Sequence, residues 1–185
     1  MKYDTASMLE VYSVNPELKE ILESQKIKET ITDTNQKTLE VLKGLKKGLF
    51  LHGVAGSGKT YCLYALRSSL SKWRLECSKI ENWVELLFEI RDRYSNNQSV
   101  KYILDYITEK DFIFLDDVGA ENQTQNSQEL LYLILDRANR NQKVLFITTN
   151  LSLEEFAKKY GDRLMSRIAE LCIAFEMKDE DLRLK

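Results

Sequence analysis

The feature that most constrains this chain is a short glycine-rich run that ends in lysine and threonine, Gly53-Val54-Ala55-Gly56-Ser57-Gly58-Lys59-Thr60. It matches the pattern G-x-x-x-x-G-K-[ST] at every fixed position. In such a loop the backbone N–H groups turn inward around a phosphate, and the N-terminus of the following helix points at the same group. The run therefore predicts a strand, a loop and a helix in succession, with a nucleoside triphosphate bound at the loop.

The residue types of the loop suggest how the ligand is held. Lys59 can reach the β- and γ-phosphate oxygens, and the Thr60 hydroxyl can bind Mg²⁺. We expect ATP or ADP with Mg²⁺ as cofactors. The predicted nucleotide-binding residues are Gly53, Val54, Ala55, Gly56, Ser57, Gly58, Lys59, Thr60 and Tyr61.

Composition narrows the class of protein. A chain of 185 residues is long enough for one well-buried α/β domain. Its net charge of −2 gives no support for a general electrostatic affinity for nucleic acid, so any DNA contact would need local basic residues. Three widely spaced cysteines predict reduced core thiols in a cytoplasmic protein. No run approaches the roughly 18 apolar residues of a membrane span, and we expect no membrane partner.

Hydrophobic patterning predicts alternating strands and helices, and hence an α/β fold with a parallel sheet sandwiched by helices. We expect a helical N-terminal extension over residues 1–44, a nucleotide-binding domain over 45–185, and little or no separate lid domain. The predicted strands are 49–52, 74–80, 112–115 and 144–148.

Three local patterns refine the predicted helices. Trp83 and Tyr94 share one apolar helical stripe, which favours a core position for both over an exposed stacking role. Asn126 with Glu129 predicts a capping box for a helix that runs through Arg140, and Ser152 with Glu155 predicts another.

Two adjacent carboxylates, Asp116 and Asp117, end the most apolar predicted strand. The acidic partner of Mg²⁺ in phosphate-loop enzymes lies at the carboxyl end of a buried parallel strand. We assign the metal to Asp116 and the role of general base toward the attacking water to Asp117. The alternative is that the pair only ends a strand at a turn.

Later polar residues supply further candidates. Asn150 follows the next apolar strand and could hold the γ-phosphate or its attacking water, or could be a turn residue or helix N-cap. Arg163 and Arg167 lie four residues apart, on one face of a predicted helix. A guanidinium there could neutralise γ-phosphate charge, in cis or from a neighbouring subunit. The alternative is a surface face paired to Asp162 and Glu170.

The ordered set of motifs resembles the AAA+ ATPases of the bacterial helicase-loader family, the DnaC/DnaI-like proteins, with IstB-like transposition helpers as close relatives. The resemblance covers about residues 45 to 185. The motifs that carry it are the phosphate loop, Phe114-Leu115-Asp116-Asp117-Val118-Gly119-Ala120-Glu121, Ile147-Thr148-Thr149-Asn150-Leu151-Ser152, and Arg163-Leu164-Met165-Ser166-Arg167-Ile168.

The resemblance implies that Gly53 to Thr60 is Walker A, that Asp116-Asp117 is Walker B and that Asn150 is sensor 1. It implies that Arg167, with Arg163 as the second candidate, is an arginine finger offered to an adjacent subunit, and that Arg183 is a sensor-2-like contact. It also implies single-stranded DNA binding along a helical insertion before Walker B. The aromatic and basic residues of that region are Trp83, Arg91, Arg93, Tyr94 and Lys101.

These expectations combine into a slow ATPase of DNA replication that loads a helicase or assists a loader, or serves transposition. We expect ATP-bound homo-oligomers and a replicative helicase or another replication or transposition protein as partner. Because 52 residues precede Gly53, we expect much of the helicase-binding domain of such loaders to be missing or reduced. The alternatives are a small phosphate-loop metabolite kinase and a non-catalytic adaptor that binds ATP.

Overall fold

A computed structural model describes residues 47–72, 75–122 and 124–177, and within them five strands alternate with six helices. The strands are β1 (Gly48–Gly53), β2 (Cys77–Asn82), β3 (Phe112–Asp116), β4 (Val144–Thr149) and β5 (Cys172–Met177). The helices are α1 (Lys59–Lys72), α2 (Trp83–Ser95), α3 (Lys101–Glu109), α4 (Gln125–Arg140), α5 (Leu153–Tyr160) and α6 (Asp162–Leu171).

The five strands form one sheet in the order β2-β3-β4-β1-β5, with every neighbouring pair parallel. β1 therefore lies between β4 and β5, and its carboxyl end shares an edge of the sheet with the ends of β3 and β4. Polar residues that follow these strands meet there, although they lie far apart in the chain. The predicted parallel α/β fold is confirmed.

Apolar residues cover both faces of the sheet, as continuous apolar strands predict. Alternate residues of a strand point to opposite faces, so Leu49 and Leu51 pack with α1 residues such as Leu63 and Leu66, on one side. Phe50 points to the other side. The hydrophobic cluster on that side is the larger one, and it includes residues of the remaining five helices. Helix α1 therefore lies on one face of the sheet, and α2 to α6 contribute to the other.

Two predicted boundaries differ from the structure. The second strand begins at Cys77 instead of Arg74 and continues to Asn82, whose side chain accepts hydrogen bonds from the N–H groups of Val84 and Glu85. The strand thus runs directly into a capped helix, and the N-cap residue fixes where it ends.

The capping box of α4 is also displaced from its predicted position. Thr124 is the N-cap, its hydroxyl accepts from the Ser127 N–H, and the Ser127 hydroxyl accepts from the Thr124 N–H. The prediction of Asn126 and Glu129 was wrong because Thr and Ser two residues earlier make the same reciprocal bonds. The box of Ser152 and Glu155 on α5 is confirmed.

The apolar stripe of α2 was predicted correctly at one end only. Trp83 is fully buried, whereas Tyr94 is 62% exposed. In the last turn of α2, Arg93 is half-buried and continues the buried face after Ile90. Tyr94 therefore points toward solvent. All three cysteines are free thiols, and Cys62 and Cys172 are buried.

The predicted extension over residues 1–44 lies outside the described residues, so the domain boundary stays a prediction. Of the helices that the structure describes, none is both long enough and apolar enough to cross a membrane.

Candidate nucleotide site

The glycine-rich loop joins β1 to α1, as its sequence predicts. Gly53, the last residue of β1, has a φ of 132°, and a Cβ atom there would lie 2.4 Å from the Met177 carbonyl oxygen of the adjacent strand. Only glycine permits both the backbone angle and the close approach of β5. Gly56 and Gly58 also have positive φ angles, which turn the loop back toward the start of α1.

Lys59 is buried, and its ammonium group lies inside the loop. Its Nζ donates to the carbonyl oxygens of Gly53 at 2.9 Å and Val54 at 2.5 Å, and to Ser57 Oγ at 3.2 Å. Ser57 Oγ in turn donates to the Val54 carbonyl at 2.9 Å. The backbone of the loop thus holds the Lys59 ammonium group. If a phosphate were bound in the loop, its oxygens would compete with these carbonyl oxygens for the Lys59 hydrogen bonds.

The two residues predicted to bind magnesium lie together. Thr60 Oγ1 donates a hydrogen bond of 3.1 Å to Asp116 Oδ1, which joins the start of α1 to the end of β3. Burial raises the pKa of the Asp116 carboxyl above its ordinary value, and the charge of Asp117 adds to this, whereas hydrogen bonds from Thr148 and Thr60 oppose it. The carboxylate is therefore poorly solvated and suited to a cation.

The donor chemistry of this pair fits Mg²⁺, which prefers hard oxygen ligands and is usually held through one or two protein groups together with phosphates and water. Within the described ranges, no group of three or more His, Cys, Asp or Glu side chains could hold a metal on its own. A magnesium ion at Thr60 and Asp116 would thus depend on the oxygens of a nucleotide.

Asp117 and Asn150 lie at the ends of adjacent strands. Asn150 Nδ2 donates to Asp117 Oδ1 at 3.2 Å. Asp117 has a φ of 57°, in the left-handed region, and this turn separates the direction of its side chain from that of Asp116. Asn150 is not the N-cap of α5, because Ser152 has that role.

Sequence reasoning did not single out Thr148, which joins the two acidic residues. Its hydroxyl donates to Asp116 Oδ1 at 2.5 Å and accepts from the Asp117 N–H at 2.9 Å. Thr148 is fully buried in β4, within a run that otherwise reads as core. In the sequence, Thr148 stands out only as a polar residue in an apolar strand. Its contact with the two acidic residues could not be predicted without knowing that β4 pairs with β3.

A second unforeseen group lies beyond the acidic pair. Glu121 Oε1 accepts from the Tyr160 hydroxyl at 2.5 Å, and Glu121 Oε2 accepts from the Gly119 N–H at 3.1 Å. Lys159 Nζ donates to the carbonyl oxygens of Gly119 at 2.7 Å and Glu121 at 2.6 Å. Burial and the Glu121 carboxylate raise the pKa of Tyr160. These bonds fasten the loop after β3 to the end of α5.

The two candidate arginine fingers are held on one face of α6, against α4. The Arg163 guanidinium lies 4.0 Å from the centre of the Tyr132 ring. Arg167 donates to Glu170 at 2.8 Å and lies 3.7 Å from an Asp136 carboxylate oxygen. Arg167 thus forms the ion pair with Glu170 that is expected if this helix face is a paired surface. Asp136 is its second acidic neighbour.

Among the remaining candidate residues, Lys101 is exposed at the start of α3. Tyr61 lies on the first turn of α1 and is partly exposed. Arg183 lies outside the described residues. Of the candidate DNA contacts on α2, Arg91 is exposed and lies 5.5 Å from the centre of the Phe88 ring, whereas Arg93 lies 3.4 Å from Glu89.

A parallel sheet in this order, with a phosphate loop after β1 and an acidic pair after β3, defines a P-loop ATPase fold of the AAA+ class. The model of the family of IstB-like ATP-binding proteins matches residues 17–185, and the chain belongs to that family. A comparison with curated protein sequences finds no match.

Solved structures with the same fold include proteins of DNA replication. The DnaC helicase loader is 22% identical, with 82% of this chain and 85% of that chain covered and a TM-score of 0.65. DnaI is 29% identical, with coverage of 70% and 72% and a TM-score of 0.58. AMPPCP-bound DnaA from Aquifex aeolicus is 20% identical, with coverage of 89% and 48% and a TM-score of 0.68. The chain thus spans about half the length of that DnaA protein.

Proposed function

We propose that this IstB-like protein hydrolyses ATP at the phosphate loop and acts in DNA replication as a helicase loader or an accessory of one. The observation that carries the proposal is the contact of Thr60 with Asp116, next to the contact of Asp117 with Asn150. A metal-binding pair and a base with an orienting amide are the parts that hydrolysis requires beside a phosphate loop.

In the proposed mechanism each residue has one task. The loop N–H groups and Lys59 bind the β- and γ-phosphates. A bound Mg²⁺ would supply charge neutralisation at the phosphate oxygens. Asp117 accepts a proton from the attacking water, while the Asn150 amide orients the Asp117 carboxylate and that water.

The charge that develops on the γ-phosphate needs a further cation. We assign this role to Arg167 of a neighbouring protomer, with Arg163 as the second candidate. Arg167 is held by Glu170 and Asp136 in the single chain, so it would have to exchange these carboxylates for phosphate oxygens on assembly. Hydrolysis is therefore expected to be slow in the isolated chain and to increase with self-association, DNA or a protein partner.

We place single-stranded DNA on the outer face of α2. Phe88 and Tyr94 are 61% and 62% exposed, and Arg91 lies between them in sequence on the same helix. Arg91 lines two adjoining grooves. Tyr94 lines the one of about 770 Å³, which is formed with α3 and α4, and Phe88 lines the one of about 390 Å³, which is formed with the loop after β3. Exposed aromatic rings beside an arginine suit base stacking with a phosphate contact.

The DNA proposal is tested by Arg91→Ala and Tyr94→Ala. Tyr94→Ala is expected to weaken the binding of an oligothymidylate by roughly 1–3 kcal/mol, measured by fluorescence anisotropy at fixed salt. Arg91→Ala is expected to weaken binding and to reduce its salt dependence. Arg140→Ala is the matched control, since Arg140 is an exposed arginine at the far end of α4. Equal losses in all three variants would remove α2 as the DNA surface.

Phosphate release and sedimentation, measured together with and without single-stranded DNA, test the proposed function. The proposal predicts ATP-dependent assembly and faster hydrolysis with DNA. A monomer indifferent to DNA that transfers phosphate to an added nucleoside would instead be a kinase. The absence of turnover with any DNA or partner would favour an adaptor.

A role as a transposition helper is the second candidate, and the match to the IstB-like family favours it. The same ATP site and the same assembly would serve either role, so the protein partner distinguishes them. Stimulation of hydrolysis by a replicative helicase supports loading, whereas stimulation only by a transposase and its DNA supports transposition.

A further inference from the structure

We propose that Thr148 is a positioning residue that holds the metal-binding carboxylate and the general base in their working arrangement. The inference rests on the proposed function, since it assigns Mg²⁺ to Asp116 and proton transfer to Asp117. Thr148 itself would touch neither the metal nor the nucleotide. Its effect would pass through the two acidic residues that it contacts.

The first argument is the use that Thr148 makes of its polar atoms. Its hydroxyl donates to Asp116 Oδ1 and accepts from the Asp117 N–H, so both functions of the hydroxyl are used by neighbouring residues. Its carbonyl oxygen accepts from the Val118 N–H at 2.9 Å. One residue of β4 thus fixes three successive residues at the end of β3.

The second argument concerns what remains when the metal is bound. Asp116 Oδ1 accepts two hydroxyl bonds, from Thr60 and Thr148. If the Thr60 oxygen becomes a ligand of Mg²⁺, Thr148 is the hydroxyl still directed at Asp116. Residues that orient the ligands of a metal in this way affect metal affinity or activity by roughly 10–100-fold.

The third argument concerns Asp117. Its φ of 57° is an uncommon backbone angle for a residue other than glycine, and such angles persist only where the surroundings fix them. The Thr148 hydroxyl fixes the Asp117 N–H, and the Thr148 carbonyl fixes the N–H that follows. This backbone turn is compatible with the contact from Asn150 to the Asp117 carboxylate.

The test compares Thr148→Val, which keeps the branched shape without the hydroxyl, with Thr148→Ser, which keeps the hydroxyl. Affinity for a fluorescent ATP analogue, N-methylanthraniloyl-ATP, is measured in Mg²⁺ and in EDTA. Mg²⁺ should raise the affinity of the wild type for the analogue, and we expect this gain to be roughly 10–100-fold smaller in Thr148→Val. The affinity measured in EDTA should change little. Thr148→Ser should restore most of that gain. In buffer with Mg²⁺, kcat should fall and KM for ATP should rise in the valine variant only.

Thr108→Val is the matched control, because Thr108 is a buried threonine of α3 whose hydroxyl donates to its own helix at Leu104. It should keep the full Mg²⁺ gain. Circular dichroism and thermal melting check that all variants fold, and a valine variant that fails to fold leaves the serine and alanine substitutions of Thr148 as the comparison. Alanine should then lose the Mg²⁺ gain that serine keeps.

Two results with the Thr148 variants would overturn the inference. One is a Thr148→Val protein that folds and keeps the wild-type gain, and the other is a serine variant that loses as much as valine. A wild type that binds the analogue more tightly in Mg²⁺ but does not hydrolyse ATP would contradict the proposed function. In that case, loss of the Mg²⁺ gain in Thr148→Val would still support the role of Thr148 in metal binding. A wild type that binds no nucleotide would contradict both the proposed function and the role of Thr148.

Discussion

The hydroxyl of Thr60, at the start of α1, lies 3.1 Å from Asp116 Oδ1, at the end of β3, although 56 positions of sequence separate the two residues. The sheet order accounts for this contact, because β4 lies between β1 and β3 and brings their carboxyl ends to one edge. The loop that would hold the phosphates and the acid that would hold the metal are thus parts of one site.

Replacing Lys59 should weaken nucleotide binding. In Lys59→Ala, the loss of hydrogen bonds from a charged donor, each worth roughly 1.5–3 kcal/mol, should weaken ATP affinity by at least about tenfold in calorimetric titration. Lys158→Ala, which removes an exposed lysine of α5, is the charge-matched control and should bind as wild type does. An unchanged affinity in Lys59→Ala would place the nucleotide elsewhere.

Replacing the general base should separate binding from hydrolysis. Asp117→Asn is expected to bind ATP with near wild-type affinity while kcat falls by roughly 10²–10⁴-fold, because the amide cannot accept the proton of water. Phosphate release under saturating ATP measures the effect. Asp92→Asn, at an exposed position of α2, should leave the rate unchanged, and an Asp117→Asn protein with wild-type kcat would remove Asp117 from the mechanism.

The arginine finger should act across protomers. Arg167→Ala should lower kcat by roughly 10³-fold or more while ATP still binds, and Arg163→Ala should have the smaller effect. Mixing Arg167→Ala with Lys59→Ala in equal amounts pairs an intact loop with an intact finger at roughly a quarter of head-to-tail interfaces. Activity should return in proportion, whereas a mixture no more active than its parts would contradict a finger supplied in trans.

The displaced capping box gives a stability prediction. Thr124→Ala should lower the free energy of unfolding by about 1 kcal/mol, because it removes the N-cap of α4. Asn126→Ala, which removes the exposed residue that the sequence pattern favoured as the cap, should change it by less than about 0.5 kcal/mol. Urea denaturation followed by circular dichroism measures both, and the reverse order would show that Asn126 is the cap in solution.

The contact between Tyr160 and Glu121 should stabilise the loop after β3. Tyr160→Phe leaves the side chain of Glu121 without its hydroxyl donor and should cost roughly 1–3 kcal/mol of unfolding free energy. Tyr102→Phe is the control, since Tyr102 is 72% exposed. Equal stability of the two variants would mean that the Glu121 carboxylate finds other partners at no cost.

The success and failure of sequence reasoning have physical causes here. The loop from Gly53 to Thr60 and the apolar strands at Phe112 and Val144 have strong local signals, so the fold and its family were predictable. The site depends on long-range pairing, so a polar residue such as Thr148 looked like part of a core strand until its neighbour was known. Tyr94 was assigned to the core because periodicity does not show where a helix stops being covered by the rest of the protein.

The central claim is that ATP is hydrolysed at a site that two protomers complete. The most direct measurement is the rate of phosphate release per protomer as protein concentration is raised, with sedimentation recorded at each concentration. The account predicts that the rate per protomer rises as the protein associates and then levels off, and that Asp117→Asn stays inactive throughout. A rate per protomer that is constant from monomer to assembly, or equal in Asp117→Asn, would contradict it.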